Sequence, residues 1–387
     1  MVKTYSERND LDPVILLPGL GGSRIEYHKN NDAIWKPLWL DISRALPGKY
    51  KEYVRELTVM YDSNTDTFSS QPDIVTRPID FGGIEGVEYL DKNFKNMSGM
   101  YSVMIKAMKE VGYEVGKNLF GAPFDFRLAN AKHIMQNGMS EKLKQLIEHA
   151  ASCNPGKKVH LVGHSMGCTF IHQFLVKYVT EGWKKRYIAS FISISGPYGG
   201  SFEALAHLSS PHMWNEAPIP ASIIHEMISS WASLYWMLPN FNAFQADSVI
   251  ASIPKAQMTV TMGNMTSLWS TTNRTSVLRG VESTMKYVNM IDPPNVPVHV
   301  FYSKGIKTLR QLKFEGDATN WWKSDCKGIY GDGDDTVPIE SLMTPLRWKE
   351  MQSDPVTSMS LDGAHHITIV HNGKLVDEIV NIISRNL

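Results

Sequence analysis

Gly163-His164-Ser165-Met166-Gly167 sets one serine between two glycines, where an apolar run gives way to a helical pattern. G-x-S-x-G in that context is the nucleophile elbow, a sharp strand-to-helix turn that holds a serine hydroxyl exposed. Side chains at the glycine positions would clash with so tight a turn. The helix N-terminus behind it offers backbone N–H groups and a positive dipole end to a developing oxyanion. A serine hydroxyl stays a weak nucleophile until an imidazole takes its proton, and the imidazole needs a carboxylate to fix its tautomer and stabilise its charged form. Without those partners the alternative for the pentapeptide is a glycine-rich structural turn. Two downstream segments can supply them. Gly331-Asp332-Gly333-Asp334-Asp335-Thr336-Val337-Pro338 carries carboxylates, and Asp362-Gly363-Ala364-His365-His366 carries imidazoles. The acidic loop does not fit calcium: counted from Asp332, its sixth residue is Val337 and its twelfth Met343, where an EF-hand needs Gly and Glu. One of the two histidines has the alternative role of a polar residue at a helix start.

The elements that must position these groups follow from periodicity. Val159–Val162 is a short buried strand before the elbow, and Ile171, Phe174, Leu175 and Tyr178 recur at i, i+3, i+4, i+7 after it, one face of a helix. Pro13–Leu17 is a buried strand running into Pro18-Gly19-Leu20-Gly21-Gly22-Ser23, a loop suited to unusual backbone angles. Helices are expected around Met104–Val111, from Ser140 as a cap through Ala150, and over Val376–Ile383; further strands over Ile188–Ile194, Val298–Tyr302 and Val356–Leu361. Strands alternating with helices imply a mostly parallel sheet covered on both faces. Serine, aspartate and histidine in that chain order, the last two each in a loop after a strand, form the α/β-hydrolase pattern. The expected division is a first piece of core with the oxyanion loop over 1–27, a membrane-binding or lid-like insertion over 28–85, core over 86–201, a cap over 202–290 and core again over 291–387.

Composition narrows the partners. Lys+Arg and Asp+Glu balance at 39 each, which excludes a nucleic-acid-binding surface. There is no apolar run of 18 residues and hence no transmembrane helix. Residues 1–12 lack a signal-peptide core, which suits the cytoplasm or a mature chain. The sequons at Asn96, Asn264 and Asn273 favour the second. Cys153, Cys168 and Cys326 allow at most one disulfide. The 20 Met and 10 Trp exceed ordinary usage. They concentrate in the aromatic stretch holding Trp35, Leu38 and Trp39, and in the cap, with Met213, Trp214, Met227, Trp231, Trp236 and Met237. Adaptable Met and amphipathic Trp suit a lipid interface or an acyl channel; the alternative for both groups is core packing.

Several segments together resemble the lecithin:cholesterol acyltransferase family, including its lysosomal phospholipase A and phospholipid:diacylglycerol acyltransferase branches. They are Pro13-Val14-Ile15-Leu16-Leu17-Pro18-Gly19, Trp39-Leu40-Asp41, Val87-Glu88-Tyr89-Leu90-Asp91, Ala122-Pro123-Phe124-Asp125-Phe126-Arg127, Gly163–Cys168, Phe191-Ile192-Ser193, Gly196–Ser201 and Gly333-Asp334-Asp335-Thr336-Val337. The resemblance spans nearly the whole chain. It implies Ser165 as nucleophile, Asp334 as acid and His366 rather than His365 as base, with the backbone N–H groups of Leu20 and Met166 as the oxyanion hole. It further implies Asp125 and Arg127 as a buried structural pair and Cys168 as an inert buried thiol. This chain has no cysteine between Ser23 and Gly99, so its lid-like insertion lacks the disulfide of the secreted member and must be ordered by Trp35, Leu38 and Trp39.

The implied activity is cleavage of a glycerophospholipid acyl ester through an acyl-serine intermediate, passed to water or to a lipid alcohol at a phospholipid membrane surface, without cofactor or metal. A neutral-lipid or sterol acyltransferase or lipase is the enzymatic alternative, and a catalytically silent lipid carrier the alternative of another class. A secreted or lysosomal lumenal location goes with the first reading.

Overall fold

The computed structural model describes residues 11–384 apart from 31, 33, 47, 131, 133–137, 211–218, 273 and 289. Met213, Trp214 and the Asn273 sequon therefore lie outside the described residues. Six strands make the central sheet: β1 (Val14–Leu17), β2 (Leu119–Gly121), β3 (Val159–His164), β4 (Ile188–Ile194), β5 (Val298–Tyr302) and β6 (Val356–Ser360). Their order is β6-β5-β4-β3-β1-β2 and every neighbouring pair is parallel.

The near-continuous apolar runs have a direct cause, since successive side chains leave a strand on opposite faces and both faces here are covered. Ile15 and Leu17 of β1 enter one core with Leu161, while Val14 and Leu16 enter a second with Val162 and Ile192. The second face is covered by α1 (Ser102–Glu110), through Met104, Ile105 and Met108, and by the C-terminal α4 (Gly373–Ser384), through Leu375, Val376, Ile379, Val380 and Ile383. The first face is covered by α2 (Met139–Cys153) and by α3 (Met166–Gln173), the helix after the elbow. This is the α/β-hydrolase architecture.

Two helix boundaries differ from the pattern reading. Ser140 is not the cap of α2: Gly138, at φ 72°, fills that position and Ser140 is buried in the first turn. After Gln173 the elbow helix widens into a π turn over Phe174–Tyr178, which still buries Phe174 and Leu175 but leaves Tyr178 half-exposed.

Outside the core, Ile25–Lys29 pairs antiparallel with Lys36–Trp39 and Ile74–Pro78 in the first insertion. A second sheet lies outside the core, in the order Met258–Thr261, Val249–Ile253, Thr308–Phe314, Cys326–Gly331. Two of its four strands come from the 308–331 hairpin, within the 291–387 stretch, and two from within 202–290. No described helix is long and apolar enough to cross a membrane, and all three cysteines are free.

Candidate active site

Ser165 sits between β3 and α3 at φ 54° and ψ −127°. An L-residue there is strained by about 1–3 kcal/mol, and such strain persists only where the surroundings over-determine it. The surroundings do so with backbone. Ser165 N–H donates to Ile194 O at 2.9 Å. A Cβ on Gly163 would lie 2.9 Å from Cys168 N, one on Gly167 2.4 Å from Leu17 O, and one on Gly19 2.6 Å from Ser165 Cβ. The two elbow glycines and the first glycine of the Pro18–Ser23 loop are therefore fixed by close approach. That third contact also seats the loop against the serine.

The candidate base and acid lie about 200 and 170 residues further along the chain. His366 Nε2 is 2.9 Å from Ser165 Oγ, and His366 Nδ1 is 2.7 Å from Asp334 Oδ2. The His366 N–H donates to Asp334 O at 2.9 Å, so the two loops are joined through main chain as well. Asp334 is fully buried, and its other oxygen accepts from Val337 N at 2.7 Å and Thr336 N at 3.2 Å. Burial pulls the His366 imidazole down, yet the Asp334 carboxylate, by charge and hydrogen bond, and Asp335 outweigh it, so His366 titrates above the ordinary value. The acid loop does not follow β5 directly. The chain first makes the 308–331 hairpin and returns, with Ile306 bridging to Asp334 beside the end of β5.

The neighbouring residues form a second pair across the same loops. His365 Nδ1 lies 2.5 Å from Asp335 Oδ2, but with side chains 63% and 34% exposed it is a surface contact that does not reach Ser165. Asp335 itself adopts φ 79°. Leu20 lies half-buried in the loop that Gly19 presses on Ser165, and Met166 is the buried first residue of α3. The loop's turn is closed by Gly22 N–H donating to Gly19 O at 3.1 Å, with Gly21 at φ 71°. An arrangement of this kind can transfer a serine proton to imidazole, hold the resulting charge against a carboxylate, and present backbone donors beside the reacting carbon.

The aromatic and apolar residues expected at a lipid interface or acyl channel are mostly buried. Leu38, Trp231, Trp236 and Met237 are buried in the main core. Trp231 Nε1–H donates to Leu57 O at 2.9 Å, and its ring meets Trp39 and Phe126 edge-on. Trp39, Phe126 and Trp231 thus form one edge-on ring cluster that packs the 28–85 stretch against the rest of the chain. Trp39 Nε1–H donates to Gly21 O at 2.7 Å, so this half-buried residue supports the loop against Ser165. Trp35 is clamped between the His28 edge and the Arg77 guanidinium, 3.8 Å above its ring. Asp125 and Arg127 are a structural pair: Arg127 is fully buried, bidentate to Asp125, and donates to Glu56 O at 3.0 Å. Thr76 Oγ1–H donates to the same Asp125 carboxylate at 2.8 Å. Cys168 is buried with its thiol pushed up to about 12, first by burial, and its Sγ faces Gly163 O.

One site residue carried no warning in the sequence. His164, the variable position of the elbow, places Nε2 2.9 Å from the His366 carbonyl oxygen.

A family model described as lecithin:cholesterol acyltransferase matches residues 34–291. The mouse phosphatidylcholine-sterol acyltransferase is 28% identical, the match covering 97% of this chain and 86% of that protein. The lecithin-cholesterol acyltransferase-like 1 of Arabidopsis thaliana is 27% identical, with 96% and 89% covered. The rat lysosomal phospholipase A and acyltransferase is 27% identical, with 93% and 87% covered. Among solved structures, a chain of the Tle4-Tli4 complex superposes with a TM-score of 0.51 at 10% identity over 97% of this chain and 99% of that one, a likeness of fold alone.

Proposed function

This chain belongs to the lecithin:cholesterol acyltransferase family, and from that premise we propose that it cleaves acyl esters of glycerophospholipids through an acyl-Ser165 intermediate. The observation that carries the reading is the unbroken line from Ser165 Oγ to His366 at 2.9 Å and on to Asp334 at 2.7 Å. His366 Nε2 takes the Ser165 proton as Oγ attacks the ester carbonyl carbon. The oxyanion accepts from the N–H groups of Leu20 and Met166, and Asp334 stabilises the imidazolium. Collapse breaks the bond to the lysophospholipid oxygen, which takes the proton back from His366. In the second half His366 removes a proton from the acceptor hydroxyl, and the acyl group leaves Ser165 on water or on a lipid alcohol. Acceptor choice rests on water exclusion and pocket shape, not on these three side chains.

The substrate lies in a bilayer, so the enzyme works at a phospholipid surface. The lumen of the secretory or lysosomal system is the location that goes with the lysosomal relative and with the exposed Asn96 and Asn264 of two sequons. A silent carrier would draw no benefit from a strained serine aligned on a buried imidazole and carboxylate.

Mass spectrometry of products from phosphatidylcholine vesicles, with and without cholesterol or ceramide, tests the reading. Fatty acid, or the ester of the added alcohol, is expected from the wild type and from neither vesicle with Ser165→Ala. Intact phospholipid in both would contradict it, and hydrolysis confined to added acylglycerol would favour a neutral-lipid enzyme.

A further inference from the structure

All four polar atoms of His366 are engaged. Its N–H, Nδ1 and Nε2 face Asp334 O, Asp334 Oδ2 and Ser165 Oγ. Its carbonyl faces His164 Nε2 at 2.9 Å, a contact between residues 202 apart in the chain. Only the two ring nitrogens belong to the proton relay. We infer that His164 is a positioning residue: as a neutral donor it ties the main chain of the base to the strand end that carries the nucleophile. This rests on the reading of Ser165 and His366 given above.

A carbonyl oxygen only accepts, so His164 Nε2 carries the hydrogen and Nδ1 is left bare. Nδ1 is buried with no hydrogen-bond partner. Leaving a buried lone pair unsatisfied is costly, and here it accompanies a hydrogen bond placed at the one residue whose position relative to Ser165 decides proton transfer. The charged and titratable groups around His164 are His366, with ring centroids 5.2 Å apart, Asp334, His371, and the buried Tyr101, whose hydroxyl faces the His164 main-chain N–H. Burial, and after it the His366 charge, push the His164 imidazole down to about 3. It thus stays neutral while His366 gains its proton, and adds no cation beside the imidazolium. A lysine or arginine could donate to the same carbonyl but would oppose that charge. A glutamine amide could donate without opposing it.

The test is the rate at which a fluorophosphonate labels Ser165, followed from pH 5 to 9 by intact mass, in wild type, His164→Gln and His164→Leu, with Tm measured for each. A displacement of about 1 Å at a reacting pair costs on the order of 100-fold. Labelling by His164→Leu should therefore slow by about 10- to 100-fold at its plateau and change its pH midpoint, while His164→Gln stays within about fivefold of wild type. Wild-type rates in His164→Leu, or a His164→Gln as slow as His164→Leu, would overturn the inference. The wild type also answers directly, whatever the variants do: histidine 15N shifts should show His164 neutral and protonated on Nε2 from pH 5 to 8. A proton on Nδ1, or titration in that range, would contradict it. A folded wild type that takes no label overturns the Ser165 reading itself, whereas a labelled wild type with an insensitive His164→Leu overturns only this inference.

Discussion

Two histidine–aspartate pairs stand one residue apart on the same two loops, and they differ in almost everything except composition. Asp334 and His366 have side chains 0% and 6% exposed, share a main-chain hydrogen bond, and point at a strained serine. Asp335 and His365 are 34% and 63% exposed and point at solvent. Buried, a carboxylate is close to its full strength against an imidazole, because little water competes with it. Exposed, the same pair is screened and contributes about 0–1 kcal/mol. Role therefore follows from burial and direction. Residue type and loop membership are the same for both pairs.

The strongest way to break the contrast is to delete each histidine in turn. His366→Ala should cost about 10⁴-fold or more in kcat, as should Ser165→Ala, with the fold intact by circular dichroism. His365→Ala should change kcat by no more than about threefold, the scale of a surface ion pair. Asp334→Asn comes next, with a loss of about 10³- to 10⁴-fold. It should also carry a pH signature. His366 must be neutral to act as base, and Asp334 holds its pKa above the ordinary value, so in wild type kcat/KM should fall with acidification from a midpoint above about 6.5. Removing the Asp334 charge lowers that midpoint. Asp335→Asn should move it the same way by less, because Asp335 contributes to the same elevation from farther off.

Stability sharpens the contrast between buried and exposed imidazoles. Burial pushes His160 and His164 down to about 3 and His172 to about 4. Below about pH 6.5 the unfolded chain binds protons that these folded residues refuse, so stability present above that pH is lost as pH falls towards 3. Glu203, raised to about 7 chiefly by burial, works in the opposite sense. His207, also held at about 4, and His299, lowered by burial, act with these three histidines, and the raised His366 acts with Glu203. With five histidines against two opposing groups, Tm should drop between pH 7 and 4, and His172→Phe should reduce that drop whereas His365→Ala should not. Calorimetry across that range checks it.

A smaller loss than those of the triad belongs to the loop support. Trp39→Phe keeps an aromatic ring but removes the indole N–H that donates to Gly21 O, which should lower kcat by about 3- to 10-fold, the value of one neutral hydrogen bond. Trp231→Ala, by contrast, should destabilise by about 3–5 kcal/mol as a buried aromatic truncation while leaving labelling of Ser165 intact below its Tm.

What the sequence revealed was local. The runs at 14–17, 159–162, 188–194 and 298–302 are legible because a strand covered on both faces must be apolar throughout. The elbow is legible because its glycines are steric necessities, as the contacts of Gly163 and Gly167 show. What escaped was non-local. The second sheet joins Val249–Ile253 to Thr308–Phe314 in parallel, a pairing between distant segments that no local period encodes. The aromatic residues escaped for another reason: an amphipathic ring suits a lipid boundary and a core edge equally well, and only the partners of Trp39 and Trp231 decide between them. His164 escaped because the elbow motif leaves its position open, and its role exists only once residue 366 is brought beside it.

The most direct measurement is the rate of fluorophosphonate labelling of Ser165 by intact mass in His365→Ala and His366→Ala, side by side with wild type. His365→Ala is expected to label within about threefold of wild type and His366→Ala at least about 10³-fold more slowly. The reverse order, or equal losses in the two, would contradict the assignment of His366 as the base.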